Sequence, residues 1–240
     1  PSVPPIADNA CVGNEGRAFV LGSSVVKGFK AHDEGWLDTR RGYAQRLEDY
    51  LSAVLGLNAH SSERSRFQIG GSTTGTFLDQ ADDRRAAIVG ELFQEPRVMV
   101  IGLSLGNEDL HEAADASAAA AVGNTFKAGL EALVKLADEY QTPVVIMGVY
   151  PDSRYTLVQT QELYATNTWL ANNVPTWQRS PKYVNWLSEL VDCPDPNALT
   201  ASCGHWKANY KHTDSDNHPN GRGFTAMYRA IDLSAAFNSH

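Results

Sequence analysis

The sequence predicts a doubly wound α/β sandwich. The prediction rests on short apolar runs that do not alternate, on a glycine at or near the end of each, and on amphipathic helical patterns lying between them. An unalternating run suits a strand covered on both faces, as in a parallel sheet whose crossovers are helices.

Phe19-Val20-Leu21 is the first such run. Residues 42–56 then read as a helix, with Leu47, Tyr50, Leu51, Val54 and Leu55 along one face. Phe67-Gln68-Ile69 reads as the second strand and Val98-Met99-Val100-Ile101 as the third. The alanine-rich residues 113–121 read as a helix or its entry. Residues 126–140 follow as a helix that places Leu130, Leu133, Val134 and Ala137 together. Val144-Val145-Ile146-Met147 is the fourth strand. Residues 224–237 form a last helix, with Met227, Tyr228 and Ile231 at helical spacing. Residues 151–213 break the rhythm: they hold Trp169, Trp177, Trp186 and Trp206, many Asn and Pro, and no clear strand. We expect an elaborated aromatic-rich loop layer there, within a single domain of 240 residues.

Composition narrows the function. Of the side chains, 42% are hydrophobic and 20% are charged, as in ordinary globular chains. A chain of this length buries roughly 70–75% of its unfolded surface, so a core needs no metal or cross-link. Twenty basic against 28 acidic residues give a net charge of −8 with no basic block, which argues against a nucleic-acid partner. No apolar run approaches the roughly 18–20 residues of a membrane span. The chain begins Pro1-Ser2-Val3 without Met, compatible with a removed leader or tag. Cys193 and Cys203 flank a nine-residue stretch rich in turn formers, and a disulfide there would be worth about 2.7 kcal/mol in chain entropy. Such a bond points to an oxidising compartment, hence to secretion.

In open α/β sheets ligands bind beyond the carboxyl ends of the strands. There the chain offers Gly22-Ser23-Ser24 running to Gly28, then Gly70-Gly71-Ser72-Thr73-Thr74-Gly75, then Leu105-Gly106-Asn107-Glu108-Asp109. Before the last helix it offers His218-Pro219-Asn220. Acyl transfer asks for this set: a hydroxyl nucleophile, an imidazole to take its proton, and amide donors for the oxyanion.

In these four blocks the sequence resembles the SGNH, or GDSL-type, hydrolase family over residues 18–231. The resemblance implies a three-layer, flavodoxin-like sandwich around a mostly parallel five-stranded sheet. It implies Ser24 as nucleophile, His218 as base, and an oxyanion hole made by the Ser24 amide, Gly75 and Asn107, with no cofactor. It further implies a carboxylic ester hydrolase and allows carbohydrate deacetylation, lipid deacylation and acyl transfer alike. Tryptophan faces stack on sugar rings, so Trp169, Trp177, Trp186 and Trp206 are read as a carbohydrate platform, which puts removal of O-acetyl groups from a glycan first. A lipase-like, thioesterase-like or acyltransferase role is the alternative. Three departures stand out. Ser23 replaces the usual Asp, Gly106 directly precedes Asn107, and Ser215 stands where the acid is expected, three residues before His218. The carboxylate is then Asp216, two residues from His218 on an extended segment, or Asp214, or absent.

Three rivals remain. Gly102-Leu103-Ser104-Leu105-Gly106 matches the nucleophile elbow of an α/β-hydrolase, with Ser104 attacking. His212, Asp214, Asp216 and His218 alternate as metal ligands would. A glycan-binding module that has lost catalysis would also account for the irregular acid position.

Overall fold

A computed structural model describes residues 16–27, 57–59, 67, 71–79, 83–96, 98–193, 195–213 and 215–233. Its central sheet has five strands: β1 (Gly16–Gly22), β2 (Leu57–Ala59), β3 (Val98–Gly102), β4 (Val144–Met147) and β5 (Lys182–Val184). They lie in the order β2-β1-β3-β4-β5, and every neighbouring pair is parallel. Every residue of β3 and β4 is buried, the reason their sequences do not alternate.

The helices are α1 (Ser24–Lys27), α2 (Thr74–Leu78), α3 (Asp83–Leu92), α4 (Asn107–Glu112), α5 (Ala116–Glu139), α6 (Leu157–Asn173), α7 (Leu187–Leu190) and α8 (Gly221–Leu233). α2, α5 and α6 pack in one group, and α7 packs on α8. α5 starts where Asp115 accepts the Ala118 amide at 2.9 Å, satisfying one of the helix's free N–H groups. Its buried face holds Phe126, Leu130, Leu133, Val134 and Ala137, the stripe that the sequence predicts. On α8 the buried residues include Phe224, Met227 and Ile231. Each such aliphatic or aromatic side chain stabilises the fold by about 1.5–3 kcal/mol.

Two sequence expectations fail. The second strand is Leu57–Ala59, whereas Phe67 is helical and Gln68 and Ile69 lie outside the described residues. Phe67 is buried against the Phe19 ring at 5.5 Å, so its apolar character reflects core packing rather than strand pairing. Residues 151–213 are no strandless layer either, since they contain α6, β5 and α7. The helix expected over residues 42–56 falls outside the described residues.

Candidate active site

The strand order reverses direction at β1. The chain leaves β1 for β2 on one side and then returns to β3 on the other, which opens a crevice beyond their carboxyl ends. Gly22 closes β1 there. A Cβ on it would lie 2.2 Å from the Val26 Cβ, so only glycine lets the chain fold back into α1. Ser24, the first residue of α1, is thereby set at the crevice. At the end of β3, Gly106 adopts φ +91° and starts α4, whose first residue is Asn107.

His218 arrives from a hairpin of β6 (Lys211–His212) and β7 (Ser215–Pro219). Asn220 fixes this arm. Its Oδ1 caps α8 by accepting the amides of Arg222 and Gly223 at 2.9 and 3.1 Å, and its Nδ2 donates to the Asn209 and Lys211 carbonyls. His218 Nε2 lies 2.9 Å from Ser24 Oγ, although the two residues are 194 positions apart.

A cavity of about 350 Å³ surrounds this pair. Asn107, Gly106, Glu108, Asp109, Ser104 and Tyr150 form part of its wall, with Gly71 and Thr73 contributed by the second block. Gly75, the expected oxyanion glycine, is not in that wall; it is the second residue of α2 and exposed. Thr73 caps α2, and its own amide donates to Thr76 Oγ1 at 3.1 Å.

Hydroxyls tie the loops together beneath the cavity. Ser72 Oγ donates to the Gly22 carbonyl at 3.0 Å, and Ser104 Oγ donates to the Ser72 carbonyl at 3.3 Å. Ser23, in the position where the family carries Asp, is buried and hydrogen-bonded to the Tyr150 hydroxyl. Burial pushes the Tyr150 phenol up to about 12, so this hydroxyl stays neutral at physiological pH. Ser104 is thus engaged as a strut between loops, while the imidazole faces Ser24. Among the described residues only β1 and β2 precede β3, the strand that leads into the Ser104 segment, and the sheet order is that of a flavodoxin-like fold, so the α/β-hydrolase alternative fails.

The four tryptophans do not build a platform here. None lines the cavity. Trp186 and Trp206 are buried in the core, and Trp169 packs edge-on to Trp177 at 5.6 Å. Trp186→Ala is therefore expected to cost about 3–5 kcal/mol of stability as a core truncation, read as a lower urea midpoint at unchanged slope. A change in substrate KM with full stability would contradict that placement.

Asp214 lies outside the described residues, and Asp216 belongs to β7. His212 is fully buried, and no group of three metal-ligating side chains occurs among the described residues. Cys193 and Cys203 form a disulfide. No described helix is long and apolar enough to cross a membrane.

Sequence reasoning missed Asp152 and Arg154, in the loop after β4. Asp152 is fully buried. Arg154 Nε and Nη2 donate to its two oxygens at 3.0 and 2.7 Å, while Nη1 and Nη2 reach the two oxygens of Glu108 at 3.0 and 2.8 Å. The bonds from Arg154 hold the Glu108 carboxyl below its ordinary range, and those to Asp152 and then Glu108 raise the guanidinium further. The available signal was positional: this loop too follows a strand at the carboxyl edge of the sheet.

A parallel sheet in the order β2-β1-β3-β4-β5, with helices between its strands, defines a flavodoxin-like class of fold. Within that class, the chain has the fold of the GDSL, or SGNH, lipolytic proteins. A GDSL-like lipase from Bacteroides thetaiotaomicron superposes with a TM-score of 0.58 at 16% identity, over 92% of this chain and 87% of that one. A psychrotrophic esterase from Pseudoalteromonas gives 0.58 at 16%, over 91% and 95%. An acetylxylan esterase from Geobacillus stearothermophilus gives 0.58 at 15%, over 94% and 96%. No protein-family model and no curated protein sequence matches the chain.

Proposed function

We propose that this chain is a serine-dependent carboxylic ester hydrolase acting through an acyl-enzyme. The observation that supports it most is the 2.9 Å contact between Ser24 Oγ and His218 Nε2 in a cavity also lined by Asn107. His218 takes the Ser24 proton as the hydroxyl attacks the ester carbonyl, then gives it to the leaving alcohol. The Ser24 amide and the Asn107 carboxamide stabilise the oxyanion, and the turn at Gly71 to Thr73 supplies the third donor in place of Gly75. Water attacks the acyl-serine, with His218 again as base, and the acid is released.

The orienting carboxylate is Asp216. What supports this choice is the spacing: residues two apart on an extended segment share a face, and β7 runs from Ser215 to Pro219. For substrate we take a small acyl ester, with O-acetyl groups on a glycan first. Likeness in fold to an acetylxylan esterase supports this choice, and the tryptophans do not. Lipase-like, thioesterase-like and acyltransferase roles come second. The Cys193–Cys203 disulfide supports work outside a reducing cytosol.

The experiment is a trap of the acyl-enzyme. Full-length protein mixed with an activated acetyl ester is acid-quenched and digested, and the mass of the peptide carrying Ser24 is read. An added acetyl group, absent from the Ser24→Ala variant, is expected. Acetylated oligosaccharides run beside a ladder of acyl lengths assign the substrate, and a preference for long chains overturns the glycan choice. No turnover above the Ser24→Ala control leaves a binding module instead.

A further inference from the structure

Asn107 has a carboxamide whose Oδ1 is buried and has no hydrogen-bond partner among the described residues. The contact that orients the group is from Nδ2 to Asp152 Oδ2, at 3.5 Å. Asp152 is itself fixed from three sides. Arg154 grips both its oxygens, the Arg154 amide donates to Oδ1 at 3.0 Å, and the Asp152 amide donates to the Gly204 carbonyl at 3.0 Å. Beyond Arg154 the chain of bonds runs through Glu108 to Asn217 Nδ2 at 3.3 Å, the residue before His218. Glu108 thus connects α4, which carries Asn107, directly to the strand that carries His218, and the Arg154 guanidinium ties Glu108 in turn to Asp152.

We propose that Asp152 and Arg154 are positioning residues that aim the Asn107 carboxamide at the oxyanion; the inference rests on the esterase reading above. The physics has two parts. An Asn side chain with one unbonded oxygen turns freely unless its nitrogen is anchored, and an oxyanion donor works only when it is already in place. The anchor, however, is a buried carboxylate, whose charge opposes the one forming on the substrate. Arg154 offsets it with a planar two-bond fork, which also spares Asp152 the penalty of an unpaired buried charge. The long Nδ2 contact directs one hydrogen to Asp152 and leaves the second for substrate.

The test is a double-mutant cycle in the full chain, with the hydrolysis of a soluble acetyl ester as readout. Arg154→Met is expected to lower kcat about 10- to 100-fold with KM within about twofold, because transition-state rather than ground-state binding is lost. In an Asn107→Ala background, where nothing remains to be aimed, Arg154→Met is expected to cost less than about threefold more. A greater further loss marks a merely structural role and overturns the proposal, as does wild-type kcat in Arg154→Met. Because that variant strands a buried carboxylate and can fail to fold, Asp152→Asn is the second probe. It keeps the shape, needs no cation, and is expected to show the same fall in kcat; a folded Asp152→Asn with wild-type kcat overturns the proposal. If the wild type is no faster than Ser24→Ala, the esterase reading itself fails and takes the inference with it. Additive losses in an active enzyme sink the inference alone.

Discussion

Ser24→Ala is expected to lower kcat for ester hydrolysis by about 10⁴- to 10⁶-fold, the loss seen when a serine nucleophile is removed from an acyl-transfer site. The reason is chemical: without Oγ no acyl-enzyme forms, and what survives is the oxyanion donors acting on a direct attack by water. Ser104→Ala, by contrast, removes a hydroxyl that bonds to the Ser72 carbonyl and Tyr150, so its kcat should stay within about tenfold of wild type. Steady-state rates on one acetyl ester, with circular dichroism to confirm folding, decide it. The opposite ranking would move the nucleophile to Ser104 and remove our assignment.

The second large effect is expected at the acid. Asp216→Asn should cost about 10⁴-fold in kcat, since an amide stabilises the wrong imidazole tautomer and cannot offset the imidazolium that forms during attack. Asp214→Asn should stay close to wild type. Activity of both purified variants across pH 5–9 distinguishes the cases. Near-wild-type rates in both would leave a Ser–His dyad, and a collapse confined to Asp214→Asn would hand that residue the role.

How much of this could be read from the sequence depended on where each element sits in the sheet. β1, β3 and β4 are inner strands, and their unbroken apolar runs announce that position. β5 is an edge strand of three residues whose Lys182 is exposed and Tyr183 half-buried, so no run marks it. Phe67 shows the converse error: a buried aromatic at a helical position has the same local composition as a strand. The Ser24, Asn107 and His218 loops were legible because a parallel sheet gathers its loops at one edge, whatever the intervening length. Gly75, expected in the oxyanion hole, lies outside the cavity wall while Gly71 and Thr73 line it, because a glycine-rich loop carries several candidates and only the start of α2 separates them. The tryptophans misled for a related reason, since composition records that a ring is present and not which way it faces. The bridge from Asp152 through Arg154 to Glu108 was not legible, since Arg154 and Glu108 are 46 positions apart and meet only once the chain has folded.

The Cys193–Cys203 cross-link, with Cys203 buried and Cys193 half-buried, bears on the site from a distance. Cys203 belongs to the short turn Ala201–Gly204, and the last carbonyl of that turn is the one holding the Asp152 amide. A covalent tether therefore stands only two hydrogen bonds from Asn107. Opening it is expected to loosen the turn that holds Asp152, and with it the ground on which the carboxamide stands. Thiol status thus becomes a variable of every kinetic assay on this protein: two batches with the same far-ultraviolet spectrum, one matured in air and one in a reducing host, need not be the same catalyst.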